Sequence, residues 1–148
     1  PHKIRLADFN ADGKTDIAVS HCFTTDSIEL FFADKEREFS FSVLQSITMS
    51  EKDNYQRVDD EIRDMVVQDF NRDGKPDVAA ACYASARVRV FINESQGTGV
   101  PVSFRREVYS FKDARPRALA AGDVNVDGKI DLVVALWQSN AVTLLLGQ

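Results

Sequence analysis

Apolar positions recur along the chain in short runs separated by clusters of Asp, Asn, Gly and Ser. The segment Arg87-Val88-Arg89-Val90-Phe91-Ile92-Asn93 alternates charge with apolar bulk, and after a turn at Gly97 to Gly99 so does Ser103-Phe104-Arg105-Arg106-Glu107-Val108-Tyr109. A period of two predicts half-exposed strands. Other runs are apolar almost throughout, such as Arg117-Ala118-Leu119-Ala120-Ala121-Gly122 and Asp131-Leu132-Val133-Val134-Ala135-Leu136-Trp137, and these predict strands nearer a core. Further strands are expected at Ser27 to Phe32, Phe39 to Leu44 and Ala141 to Leu146.

The runs are organised by a repeat. The pattern D-x-N-x-D-G-K-x-D starts at Asp8, Asp69 and Asp123, so the copies begin 61 and 54 residues apart. That spacing has room for about four strands of 5–8 residues with their turns. Each unit then reads as strand, acidic loop, strand and an outer pair, a four-stranded antiparallel meander. Radial repetition of such sheets limits exposed edges and gives a propeller. The expected fold is therefore all-β: a partial β-propeller of four-stranded antiparallel blades, about two complete plus three strands of a third. The expected organisation is a single partial propeller domain over 1–148. Blade 1 covers 1–60 with an inserted loop at 48–61, blade 2 covers 62–113, and an incomplete blade 3 covers 114–148. Such a set cannot close a ring, so either the chain is a piece of a longer propeller or copies complete one another. The start at Pro1 rather than Met suggests a processed or partial product.

Composition narrows the function classes. Apolar residues are 44% and charged residues 28%, ordinary globular proportions. Eighteen Lys and Arg against 23 Asp and Glu give a formal charge of −5, the wrong sign for nucleic acid or an anionic membrane surface. No apolar run predicts membrane insertion. The acidic surplus sits largely in the three loops and points to a cation.

Each loop offers hard oxygen donors at alternate positions. The candidate metal ligands are Asp8, Asn10, Asp12, the Lys14 carbonyl and Asp16; then Asp69, Asn71, Asp73, the Lys75 carbonyl and Asp77; then Asp123, Asn125, Asp127, the Lys129 carbonyl and Asp131. Calcium takes about 6–8 oxygens, and a Gly at the sixth position allows the sharp curl this needs. Gly13, Gly74 and Gly128 occupy that position, where positive φ is expected. Zinc would want His or Cys. An EF-hand needs a Glu at position twelve and flanking helices, whereas Val19, Ala80 and Val134 stand there in predicted strands. Three structural calcium sites are therefore expected, stabilising the native loops.

With these residues in place the chain resembles the FG-GAP, or VCBS-like, repeats of integrin α-subunit propellers, fungal propeller lectins and microbial surface proteins. Its pattern D-x-[DN]-x-D-G-x-x-D matches three times. The resemblance implies one calcium in each loop between the first and second strands of a blade, on one face of the disc. Ligands are implied at the opposite face or between blades. The Phe-Gly dipeptide and the Gly-Ala-Pro tripeptide are missing, so an integrin-type ligand site does not carry over.

Other features refine the expectation. The inserted loop should lie opposite the acidic loops, mainly as a solvated charge run, with Tyr55 and Arg57 as its contacts to test. Asn93-Glu94-Ser95 is an N-glycosylation acceptor triplet. Cys22 and Cys82 fall in corresponding strands and are expected to be free, buried thiols on opposite faces, with a bridge between them as the other option. Trp137 is expected to pack between blades, with stacking on a sugar as the other option. No nucleophile, zinc or phosphate-loop motif occurs, so no catalytic residue is expected. The function expected is a calcium-binding module of an extracellular or cell-surface adhesion, ligand-binding or self-assembling protein. Its partner would be a protein or glycan, or further copies through open blade edges. The alternative is the scaffold propeller of a secreted polysaccharide-active enzyme or a lectin.

Overall fold

A computed structural model describes residues 1–22, 26–34, 36–37, 40–49, 60–112 and 114–147, without the side chains of 42–44. Among them the chain forms eleven strands and no helix. They build three antiparallel sheets. Sheet 1 has the order β1 (Lys3–Ala7), β2 (Asp16–Ser20), β3 (Ser27–Ala33), β4 (Phe41–Thr48). Sheet 2 has β5 (Ile62–Gln68), β6 (Asp77–Cys82), β7 (Arg87–Asn93), β8 (Phe104–Ser110). Sheet 3 has β9 (Pro116–Gly122), β10 (Asp131–Leu136), β11 (Ala141–Leu145).

Within each sheet, sequence neighbours pair, so every ladder closes through a short loop. β4 runs further than its apolar stretch foretells. Its polar residues Gln45 and Ser46 pair with Leu30 and Glu29, and the length of β3 sets that of its partner. The segment 50–59, with Tyr55 and Arg57, lies outside the described residues.

The sheets stack through their pleats. Val78, Ala80, Cys82 and Phe91 of sheet 2 share one core with Ala18, Ile28, Leu30 and Phe32 of sheet 1. The alternate residues Ala79, Ala81, Val88, Val90 and Ile92 share a second core with Leu119, Leu132 and Val134 of sheet 3. Successive side chains of a strand point to opposite faces, so one sheet supplies both layers. Both faces of sheet 2 are thereby covered. β6 is buried throughout, and β7 is buried except at Arg87, which is half-exposed. The expectation of half-exposed outer strands fails for β7.

The failure has a physical reason at Arg89. This residue is buried, and its Nη2 lies 2.9 and 3.1 Å from the two oxygens of buried Asp60. A guanidinium can stay in a core only when paired in this way. Burial pushes the Asp60 carboxyl above its ordinary value, opposed by the Arg89 charge.

First strands lie side by side, β1 against β5 and β5 against β9. Asp64 of β5 bolts the three sheets together. Its Oδ1 is 3.5 Å from Lys3 Nζ and 3.4 Å from Arg5 Nη2, and its Oδ2 accepts the Leu119 N–H at 2.9 Å. Gln45 of β4 joins sheets 1 and 2 differently, accepting the Val102 N–H and donating to the Val102 carbonyl.

Candidate metal centre

The three acidic loops follow β1, β5 and β9, and each adopts the same backbone path. In the first, Asp8 accepts the Asp12 and Gly13 N–H groups, one on each oxygen, at 3.0 and 2.8 Å. Asn10 Oδ1 accepts the Asp12 N–H, and Asp12 Oδ1 accepts the Lys14 N–H. The same four bonds recur around Asp69, Asn71 and Asp73, and again around Asp123, Asn125 and Asp127. Short Asp and Asn side chains fold back on the backbone in this manner and force the curl.

Two positions per loop take positive φ. Gly13, Gly74 and Gly128 have φ of 85°, 84° and 83°, as the sequence predicts. Position four does so as well, in Ala11, Arg72 and Val126 at 56°, 64° and 61°. Nothing in those residue types announces it, since left-handed backbone is costly for a side chain with a Cβ.

The position-nine carboxylates are fully buried and do a structural job the motif alone does not reveal. Asp16 Oδ2 accepts the Phe9 N–H and its Oδ1 the Ala33 N–H, both at 2.9 Å. Asp77 holds the N–H groups of Phe70 and Asn93 at 2.8 and 2.7 Å, and Asp131 those of Val124 and Gly147 at 3.0 and 2.9 Å. Each Asp thus ties the start of its loop to the far end of the third strand or, at Gly147, to the chain just past it. Burial pushes the Asp16 and Asp77 carboxyls up, and the backbone N–H groups oppose it. At the loop tip, the Lys129 N–H and the Asn125 amide hold Asp127 below the ordinary carboxylate range.

The donor set is hard oxygen throughout and fits calcium in kind. A carboxylate has about four acceptor sites, so Asp8 and Asp16, which accept two N–H groups each, keep lone pairs for an ion. In position the fit is partial: among the described residues no three His, Cys, Asp or Glu side chains gather as a group able to hold a metal. Lys75 Nζ also stands 3.5 Å from Asp73 Oδ2, and Asn125 Nδ2 donates to Asp127 Oδ2. Closure around an ion would draw the carboxylates of a loop together and exchange these contacts.

The loops are neighbours. Asn93 Nδ2, from sheet 2, donates to the Phe9 carbonyl of the first loop at 3.0 Å. The Gly99 N–H donates to the Asn10 carbonyl. Arg72 of the second loop reaches the Gly128 backbone of the third, 4.0 Å from where a Cβ would stand. Asn93 is wholly buried with its amide nitrogen engaged, and a glycan on Nδ2 would break this joint.

At the opposite ends of the first strands lies a cleft of about 590 Å³ lined by His2, Lys3, Arg63, Arg117 and Trp137. Trp137 is 60% exposed, with the Arg117 guanidinium 4.2 Å from its ring centre. The expected packing role is thereby corrected, because Trp137 follows the last residue of β10 and projects past the sheet core. Cys22 and Cys82 are free, the former half-buried and the latter buried.

Among known proteins, residues 69–134 match the family described as the FG-GAP-like repeat. No curated protein and no solved structure matches the chain. Over residues 69–134, from the second acidic loop to the middle of β10, the chain is therefore similar to the FG-GAP-like repeat.

Proposed function

We propose that the chain is a calcium-stabilised β-propeller module of an extracellular or cell-surface protein, serving recognition or adhesion. The propeller reading rests on the adjacency of β1, β5 and β9, which sets the first strand of each meander around a common line. The calcium reading rests on one observation, the threefold recurrence of an identical hydrogen-bonded curl in an all-oxygen donor loop. Asp8, Asn10, Asp12, the Lys14 carbonyl and Asp16 would hold the first ion, and their equivalents the other two. The bound ion supplies positive charge against three carboxylates per loop. Extracellular calcium modules bind at about 10⁻⁴ to 10⁻³ M, and loops with an affinity in that range fill only in a compartment rich in calcium.

A calcium bound only by the native state stabilises by about 2.7 kcal/mol at a free concentration of 100 Kd. Three such sites give roughly 8 kcal/mol, and at about 2–4 °C per kcal/mol the melting temperature rises by roughly 15–30 °C over a chelated sample. Thermal melts in calcium, magnesium and chelator test this. Equal melting points in calcium and chelator would sink the reading.

A glycan-binding, lectin-type module is the second reading, favoured by exposed Trp137 beside Arg117 in a cleft that also holds Lys3 and Arg63. Aromatic faces stack on apolar ring faces while guanidinium and ammonium groups take up oxygen acceptors.

A further inference from the structure

The three sheets are copies, so each residue has counterparts at the same register. Asp16, Asp77 and Asp131 open β2, β6 and β10, which makes Ile17, Val78 and Leu132 equivalent. Their ladder partners on the first strands, Leu6, Val67 and Ala121, are equivalent too, as are Ile4, Met65 and Leu119. In sheets 2 and 3 this face meets the preceding sheet, and Met65, Val78, Leu119 and Leu132 are buried there. In sheet 1 the same face carries Ile4 and Leu6 at 59% and 64% exposure.

The opposite face repeats the relation in reverse. Ile28 and Leu30 of sheet 1, and Val88 and Val90 of sheet 2, are buried against the sheet that follows. Their register equivalents in sheet 3 are Val142 and Leu144, which pair with Ala135 and Val133 of β10. These stand 69% and 39% exposed. Among the described residues, sheets 1 and 3 thus present two different apolar faces. One has the pattern that fits onto a preceding sheet, the other the pattern that fits under a following one.

We propose that the free face of sheet 3 docks on the free face of sheet 1 of a second copy, head to tail. The contact continues the sheet 1 to sheet 2 and sheet 2 to sheet 3 interfaces with the same residue positions in the same register. It joins faces, not strand edges, and needs no new hydrogen-bond ladder. The two surfaces differ, so the contact is heterologous, and repetition yields a ring or an open filament according to the rotation per copy. Sheets of three or four strands, spaced about 4.8 Å with strands of about 17–20 Å, give roughly 300 Å² of sheet plane per side, so association is concentration-dependent. The proposal needs only the stacking of the sheets and stands apart from the calcium reading.

Sedimentation velocity on the chain, up to about 100 µM, tests it where an interface with micromolar Kd fills. Two variants carry the test: Val142→Asp with Leu144→Asp, and Ile4→Asp with Leu6→Asp. All four positions are exposed or lie at the sheet surface, and circular dichroism checks that each variant retains its sheets. The parent chain is expected to gain mass with concentration. Each variant alone is expected to stay monomeric, and an equimolar mixture to form a one-to-one dimer through the single intact pair of faces. A monomeric parent would overturn the proposal. So would a mixture that stays monomeric, or assembly that survives in one variant alone, which would mean that a face pairs with itself.

Discussion

Replacing Asp77 by Ala removes the acceptor of two backbone donors, the N–H groups of Phe70 and Asn93, held at 2.8 and 2.7 Å. Asp77 is fully buried, and water has no ready route to the Asn93 N–H at the end of β7. An unsatisfied buried donor costs about 1–3 kcal/mol, so the pair costs roughly 2–6 kcal/mol. Total stability of a domain is about 5–15 kcal/mol, which makes this a large fraction of it. The loss should also reach sheet 1, because the Asn93 amide that grips the Phe9 carbonyl depends on the same strand end. Urea unfolding in excess chelator separates this role from any metal bound by the loop. Asp77→Asn is the companion variant: it keeps the shape and one acceptor but turns a donor toward an N–H, and should lose about half as much. An Asp77→Ala protein that remains folded and loses less than about 1 kcal/mol in chelator would refute the assignment of the carboxylate as a structural clamp.

Breaking the buried Arg89 and Asp60 pair with Arg89→Ala should cost about 3–5 kcal/mol by urea unfolding, while the double variant Asp60→Leu, Arg89→Met should come within about 1–2 kcal/mol of the parent. Val126 is 87% exposed with φ 61°, so Val126→Asn should stabilise by about 0.5–1 kcal/mol, read as a higher midpoint in chelator. Burial pushes both thiols up, Cys82 most strongly; a thiol reagent should therefore label Cys22 slowly in the native protein and Cys82 only after unfolding, as mass spectrometry of digests will show.

Local order was legible because local residues create it. Alternation at Arg87 to Asn93 marks β7 with the bounds observed, and the acidic motif places its glycines at the positive φ the curl requires. Long-range contacts were not legible. Arg89 looks like the solvent side of an alternating strand, yet its partner Asp60 comes from 29 residues earlier. Asn93 looks like a surface acceptor triplet, but it sits at a sheet junction and reaches a carbonyl 84 residues away. The ninth Asp of each loop reads as a ligand in the motif, and in the structure it clamps its sheet, since its second partner lies at or just past the end of another strand. A pattern in sequence shows which face of a strand is apolar; it does not show whether another sheet covers both.

The central claim is that the acidic loops bind calcium, and calorimetric titration of the chelator-stripped chain addresses it directly. The account predicts saturation at three calcium ions per chain, falling to two when Asp69→Ala and Asp73→Ala disable the second loop, with magnesium binding far more weakly. A titration without saturable heat, or one whose stoichiometry is indifferent to the loss of those carboxylates, would contradict it.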